Sequence, residues 1–317
     1  MSRSLLPLLL ALMPGILPAS ASVPGNPPDK GMWIWFRENV ADPSQRAAML
    51  TFAGSQGINR LLVNIHFDGA ADHDALGTYA DPLQNLLKEA GEKGYAVEAL
   101  TGAPDMGFAV NRAKTLHQLD ILLTFNKTQP PGARFVGIHY DIEPYLTPRW
   151  KGGDIPGAVS ETLETLSEIR DHVRNSDPSL TVAYDIPSWY GTKPPLQKIA
   201  FHGVTKSLQE HVQDLSDYVG VMAYRRAATG PNSVTALCAP IFAYAEKTGK
   251  RVYPAMESKK LDQTPNITFY GTSPEIFEEA LNQIWSANSK SPAFGGVLLH
   301  QYVYLHTLLG DKTEAKP

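Results

Sequence analysis

The feature that most constrains this chain is a repeated alternation. Short apolar runs rich in β-branched and aromatic residues alternate with stretches of helical spacing. The runs are "MWIWF" from Met32, "RLLVNIHF" from Arg60, "YAVEAL" from Tyr95, "FVGIHYDIE" from Phe135, "LTVAYDIP" from Leu180, "YVGVMAY" from Tyr218, "RVYPAMES" from Arg251 and "FGGVLLHQY" from Phe294. Each is too short for a good helix and reads as a strand. Between them, "DPSQRAAMLTFAGSQG" offers Asp42 as N-cap, Pro43 at the first helical position and Gly57 as the stop. "DPLQNLLKEAGEKG" repeats that design from Asp81, and "SPEIFEEALNQIWSA" opens on the Ser273-Pro274 cap signal. "AVSETLETLSEIRDHVRN" sets Val159, Leu163, Leu166, Ile169 and Val173 on one stripe. Each strand–helix–strand unit must close as a right-handed parallel crossover. With no Ser/Gly/Pro-rich linker to divide the chain, these units predict an α/β fold, a single (β/α)8 TIM barrel over residues 22–317.

The first residues, "MSRSLLPLLLALMPGILPASASVPG", read as a secretory signal peptide over residues 1–21. Arg3 is the charged start, Leu5 to Leu17 the apolar core, and Ala19-Ser20-Ala21 a small-x-small site with cleavage expected after Ala21. The run is interrupted by Pro7 and Pro14 and is too short to span ~30 Å of hydrocarbon, so no membrane span is expected. A secreted or periplasmic protein follows. The single cysteine, Cys238 in "TALCAPIFAYA", cannot make an internal disulfide and reads as a small buried apolar side chain. Stability must then come from core burial, and 43% hydrophobic against 19% charged residues supports that. The 28 Lys and Arg form no cluster and the net charge is -4, so a nucleic-acid partner is not expected. CxxC, HExxH, GxSxG and Gly-rich phosphate loops are all absent from the sequence, and no cofactor or metal is expected.

The fourth run begins like a buried strand and ends in two acids before a proline, "HYDIEPY". Strand alternation predicts that His139, Asp141 and Glu143 face the same way, with Pro144 stopping the ladder. Catalytic groups of a barrel sit at the C-terminal ends of its strands. Two carboxylates held together there cannot both ionise cheaply, so one keeps its proton near neutral pH and can act as a general acid.

These residues carry a family resemblance. "V-G-I-H-Y-D-I-E" is similar to the fourth-strand signature DGxDxDxE of chitinase-like glycoside hydrolases, the family eighteen group, with Asp141 and Glu143 on its last two acids. "VGVMAYRR" resembles that family's M-x-Y segment at Met222 and Tyr224, and "GGVLLHQ" resembles its G-G-x-M-x-W segment. Val136 and His139 stand where the signature has aspartates, and His300 stands where the segment has tryptophan. The resemblance implies a carbohydrate substrate and a proton donor at Glu143. Asp141 would orient the substrate or stabilise an intermediate, and Tyr224 would hydrogen-bond the reacting sugar.

A second carboxylate arrangement stays open. Glu257 ends the seventh strand, and the layout resembles retaining glycosidase barrels that pair a strand-four acid in an "EP" context with a strand-seven nucleophile. The other reading of Glu257 is a solvated loop acid beside Lys259 and Lys260. Candidate substrate-binding residues cluster at the same strand ends: Trp33 and Trp35 on the first strand, His66 on the second, His139 on the fourth, Asp185 and Trp189 around the fifth, Arg225 after the sixth, and His300 and Gln301 on the eighth. Aromatic faces suit sugar rings. The expected function is therefore a glycoside hydrolase with Glu143 as general acid. One alternative is a chitinase-like barrel that binds glycan without cleaving it. Another is a metal-dependent hydrolase using the i, i+2 pairs His66/Asp68 and His139/Asp141.

Overall fold

The computed structural model describes residues 28–68 and 75–310, so the proposed leader lies outside the described residues. Eight parallel strands close on themselves: β1 (Asp29–Ile34), β2 (Arg60–Asn64), β3 (Ala96–Thr101), β4 (Gly137–Tyr140), β5 (Thr181–Pro187), β6 (Tyr218–Met222), β7 (Arg251–Glu257) and β8 (Gly296–His300). Each strand pairs with its sequence neighbours, and β8 returns to β1, where Asp29 pairs with Gly296 and Met32 with Leu299. Every strand run read from the sequence is a barrel stave. The principal helices are α1 (Pro43–Ser55), α2 (Ala80–Glu92), α3 (Ala109–Thr128), α4 (Ile155–Ser176), α5 (Leu208–Asp214), α6 (Val234–Thr248), α7 (Pro274–Asn288) and α8 (Tyr302–Leu309). This is a (β/α)8 barrel. A small antiparallel hairpin, Ile199–Phe201 with Val204–Lys206, sits between β5 and α5.

Local chemistry sets the helix boundaries. The Asp42 carboxylate accepts from Ser44 N and Gln45 N, and Pro43 supplies a fixed φ at the first position, so α1 starts where expected. Its buried face carries Met49, Leu50, Phe52 and Ala53. The stripe Val159, Leu163, Leu166, Ile169 and Val173 of α4 is buried throughout; each such side chain contributes about 1.5–3 kcal/mol. The start of α2 differs from expectation. A 3-10 turn, Gly77–Tyr79, runs directly into the helix, so Asp81 lies within its first turn rather than at the cap.

Apolar residues form two layers. The larger lies between strands and helices and includes Cys238, whose thiol burial pushes upward in pKa. The smaller fills the barrel interior: Trp33, Leu62, Leu100, Ala183, Tyr218, Tyr253, Ala255 and Leu298. Glycines make room inside it. A Cβ on Gly220 would lie 2.1 Å from Asp185 Oδ1, and one on Gly31 would lie 2.4 Å from Leu298 Cδ2. Among the described residues no helix is long and apolar enough to cross a membrane.

Candidate active site

β4 ends at Tyr140, so Asp141 and Glu143 lie beyond its last paired residue. His139 faces the barrel interior, and Asp141, which feels the charges of Asp185, Glu143 and His139, keeps to the same side in the segment that leaves the strand. Backbone geometry still fixes that segment. Asp141 N donates to Thr101 O at 2.9 Å. This close approach needs Gly102, where a Cβ would sit 2.0 Å from Asp141 O. Glu143 then precedes the 3-10 turn Pro144–Leu146, with Pro144 ending the ladder as expected. Tyr140 pairs with Tyr184, so Asp141, one residue past β4, comes beside Asp185 of β5.

The Glu143 carboxyl is half-buried and accepts a hydrogen bond from the Tyr145 hydroxyl. Burial raises its pKa, Tyr145 opposes the rise, and the Asp185 charge adds to it. Asp141 is held well above the usual carboxylate range by burial, then by Asp185 and Glu143, and its Oδ1 has no hydrogen-bond partner. Tyr145 packs against Trp189 at 5.1 Å between ring centroids and against Tyr190 at 6.1 Å, so an aromatic wall stands beside Glu143.

Beneath the acids the barrel interior holds a charge network. The Tyr218 hydroxyl donates to Glu98, so it accepts from His139 Nδ1 at 2.9 Å. His139 Nε2 lies 2.9 Å from Asp185 Oδ2. Nδ1 thus carries a hydrogen, while Nε2 lies close to Asp185 without hydrogen-bond alignment; the two flanking carboxylates favour the imidazolium form. Burial alone would depress its pKa, but Asp185 and Glu98 outweigh that and push it up to about 10. Burial would likewise raise Glu98, yet Arg60 and His139 hold it down at about 2. Arg60 also pairs with Asp29 at 2.6 Å, and Trp33 Nε1 donates to Asp185 Oδ2 at 3.3 Å.

Across the mouth, Glu257 ends β7. It is 4% exposed, which overturns the solvated-loop reading. Its Oε1 accepts from Lys259 N at 2.6 Å and lies 2.9 Å from His300 Nδ1. The Trp35 indole donates to His300 Nε2 at 2.8 Å. Tyr224 is half-buried beside His300, with ring centroids 6.3 Å apart. Its hydroxyl is pushed well above its ordinary pKa by burial and then by the charges of Glu257, Asp185, Asp141 and Glu143. One phenol therefore lies in the field of four carboxyl groups from β4, β5 and β7.

Not every expected residue reaches this mouth. Trp33 is 1% exposed inside the barrel and His139 is wholly buried, so neither is open to a sugar; both belong to the supporting network. Asp185 is buried too, with Oδ1 unpartnered. Arg225 is tied to Tyr224 O at 2.7 Å and to Asn232. His66 bonds Trp35 O at 3.1 Å and lines a cleft of about 470 Å³ with Arg37, Phe67 and Lys114. Burial lowers its pKa. Gln301 is buried, with Oε1 unpartnered. The metal reading loses its ligand pairs. Asp68 is bound by Arg37 at 2.8 Å and by Thr78, and His139 has no free lone pair. Among the described residues no group of three or more His, Cys, Asp or Glu is placed to hold a metal. Sequence reasoning missed Tyr145, Glu98 and Tyr218. Glu98 carried the one available signal, an acid in the middle of an apolar run.

No protein-family model and no curated protein sequence matches this chain. Solved structures do. An exo-β-1,4-mannosidase, Op5Man5, from Opitutaceae bacterium strain TAV5 aligns over 86% of this chain with a TM-score of 0.56 at 14% identity. This chain spans 51% of that protein's length. A GH113 β-1,4-mannanase aligns over 87% of each chain with a TM-score of 0.53 at 10% identity. A β-1,4-mannanase from the common sea hare Aplysia kurodai covers 89% of this chain and 90% of its own, with a TM-score of 0.54 at 12% identity. At such identities the likeness is one of fold: the chain shares the barrel on which these enzymes are built.

Proposed function

We propose that this protein is an exported glycoside hydrolase that works by double displacement, with Glu143 as acid and base and Glu257 as nucleophile. The observation that carries the reading is the contrast between the two glutamates at the ends of β4 and β7. Glu143 is pushed toward its protonated form by burial and neighbouring charge. Glu257 is instead held by two N–H donors on Oε1, while Oε2 takes no hydrogen bond among the described residues. One group is set up to give a proton and the other to attack.

In the first step the Glu143 proton passes to the glycosidic oxygen as the bond from that oxygen to the anomeric carbon breaks. Glu257 Oε2 forms the new bond to the same carbon. In the second step Glu143, now a carboxylate, takes a proton from water. The water oxygen displaces Glu257 with overall retention. Tyr224, which feels the charges of both glutamates, supports the sugar at the reacting centre, and the wall of Tyr145, Trp189 and Tyr190 offers apolar faces for the rings. The fourth-strand resemblance alone would have favoured a substrate-assisted route through Asp141. The two N–H donors on Glu257 favour the two-carboxylate route instead.

The structural neighbours named as β-1,4-mannan enzymes make β-1,4-mannan the first substrate to try, and chitin oligosaccharides come second because of the fourth-strand motif. The test is product analysis by chromatography with proton NMR of the first-formed anomer. Release of a sugar whose anomer matches that of the cleaved bond is expected. Binding without release across neutral, amino and uronic glycans would overturn the proposal, as would release with inversion.

A further inference from the structure

Behind Glu257 runs a chain of two ring systems from opposite sides of the barrel closure: Trp35 just past β1, and His300 at the end of β8. We infer that Trp35 and His300 form a positioning relay that aims the Glu257 carboxylate. Trp35 fixes the tautomer of His300, and His300 then pins Oε1 so that Oε2 faces the substrate. The inference rests on the reading of Glu257 as nucleophile.

The direction of the relay follows from donor chemistry. An indole N–H can only donate. Trp35 Nε1 lies 2.8 Å from His300 Nε2, so Nε2 must accept and carries no hydrogen. The ring hydrogen is then on Nδ1, which lies 2.9 Å from Glu257 Oε1. No freedom of tautomer remains. Both ring nitrogens are occupied, so His300 has no lone pair or hydrogen for a substrate hydroxyl, contrary to the expectation from sequence. The ring is also held in place. Trp33 meets it edge-on at 5.6 Å and 71°, Trp35 at 6.1 Å and 69°, and Tyr224 flanks it. Its own carbonyl accepts from Ser258 N and Ser258 Oγ, each at 2.6 Å. Trp35 is anchored in turn, its carbonyl accepting from Asn64 Nδ2 at 3.2 Å and bonding His66 Nε2 at 3.1 Å. A carboxylate with Oε1 locked between Lys259 N and His300 Nδ1 can swing in neither direction. A nucleophile held this way attacks without first paying for reorientation.

The test combines kinetics with ring spectroscopy. His300→Phe removes both bonds, His300→Asn keeps an N–H donor at the Nδ1 position, and Trp35→Phe removes only the tautomer lock. Losing a hydrogen bond to a charged group predicts a fall in kcat of roughly tenfold to a hundredfold for His300→Phe, with KM changed less than about threefold. His300→Asn should recover most of that loss. In 15N–1H spectra the wild-type ring should show the Nδ1–H form, and Trp35→Phe should give a mixture of tautomers. Equal kcat for the Phe and Asn variants would overturn the relay, as would an Nε2–H ring in the wild type or a loss confined to KM. If the wild type cleaves no glycan, the double-displacement reading falls by itself. The ring spectra then decide the relay: a wild-type tautomer that persists in Trp35→Phe overturns it, and one that is lost there sustains the lock.

Discussion

His139→Leu perturbs the support of the site while leaving every proposed catalytic group in place. The substitution is close in volume, so its main effect is electrostatic. It removes the cation that lies 2.9 Å from Asp185 Oδ2 and 3.4 Å from Glu98 Oε2. Glu98 keeps Arg60 and Tyr218, but Asp185 keeps only the Trp33 N–H. Breaking one side of a buried ion pair costs about 3–5 kcal/mol. In a domain of this size each kcal/mol moves Tm by roughly 2 °C, so a fall of about 6–10 °C is expected. Adding Asp185→Asn should recover part of it, because the stranded carboxylate is gone. The pH dependence has a definite sign. His139 has its folded pKa raised to about 10 from an ordinary value near 6.5. Its contribution is therefore full below about 6.5 and lost as pH climbs through 10. Differential scanning calorimetry between pH 6 and 10 should show the widest gap between wild type and variant at pH 6, closing toward pH 10. A gap below about 2 °C at pH 6, or one that does not narrow, would refute the imidazolium assignment.

Two further outcomes follow from the same geometry. Tyr145 lowers the pKa of Glu143 by donating to it; Tyr145→Phe should therefore move the alkaline limb of kcat/KM upward in pH, and a downward move would contradict the assignment of Glu143 as the acid. Gly220→Ala places a methyl 2.1 Å from Asp185 Oδ1 and 3.1 Å from Leu298 Cδ1. Thermal unfolding should show a loss of about 1–3 kcal/mol, and activity should fall with it; a fully stable variant would mean that the interior is looser than described.

Strand identity was legible because a buried parallel strand is written as a short apolar run, and each of the eight runs found its place. Strand ends were not. The β4 ladder stops at Tyr140 because the paired register with β3 and β5 runs out there, and that depends on residues far away in sequence. Alternation put His139 with Asp141 and Glu143 but could not give their depths: His139 lies inside between Glu98 and Asp185, and the two acids lie past the end of the ladder. Depth rather than face separates Trp33 from Trp35: both turn to the side of His300, as spacing expects, but β1 ends at Ile34, leaving Trp33 sealed in the interior and Trp35 beyond the strand's end. The partnership of Trp35 with His300 joins residues 265 apart and exists only because the barrel closes between β1 and β8. Glu143 and Glu257 could be picked out because an acid at the end of an apolar strand is costly unless it is used. Their contrasting surroundings come from Tyr145, Lys259 and His300, and only the folded chain brings these together.

The central claim is that Glu143 delivers the proton to the leaving group. Its most direct measurement compares wild type and Glu143→Ala on two glycosides of one sugar, a natural disaccharide and a dinitrophenyl glycoside whose leaving group needs no proton, with and without azide. The account predicts that the variant loses the disaccharide reaction by more than roughly a hundredfold, still forms the glycosyl-enzyme from the activated substrate, and yields a glycosyl azide of retained configuration when azide is added. Cleavage of the natural disaccharide at the wild-type rate by Glu143→Ala would contradict it.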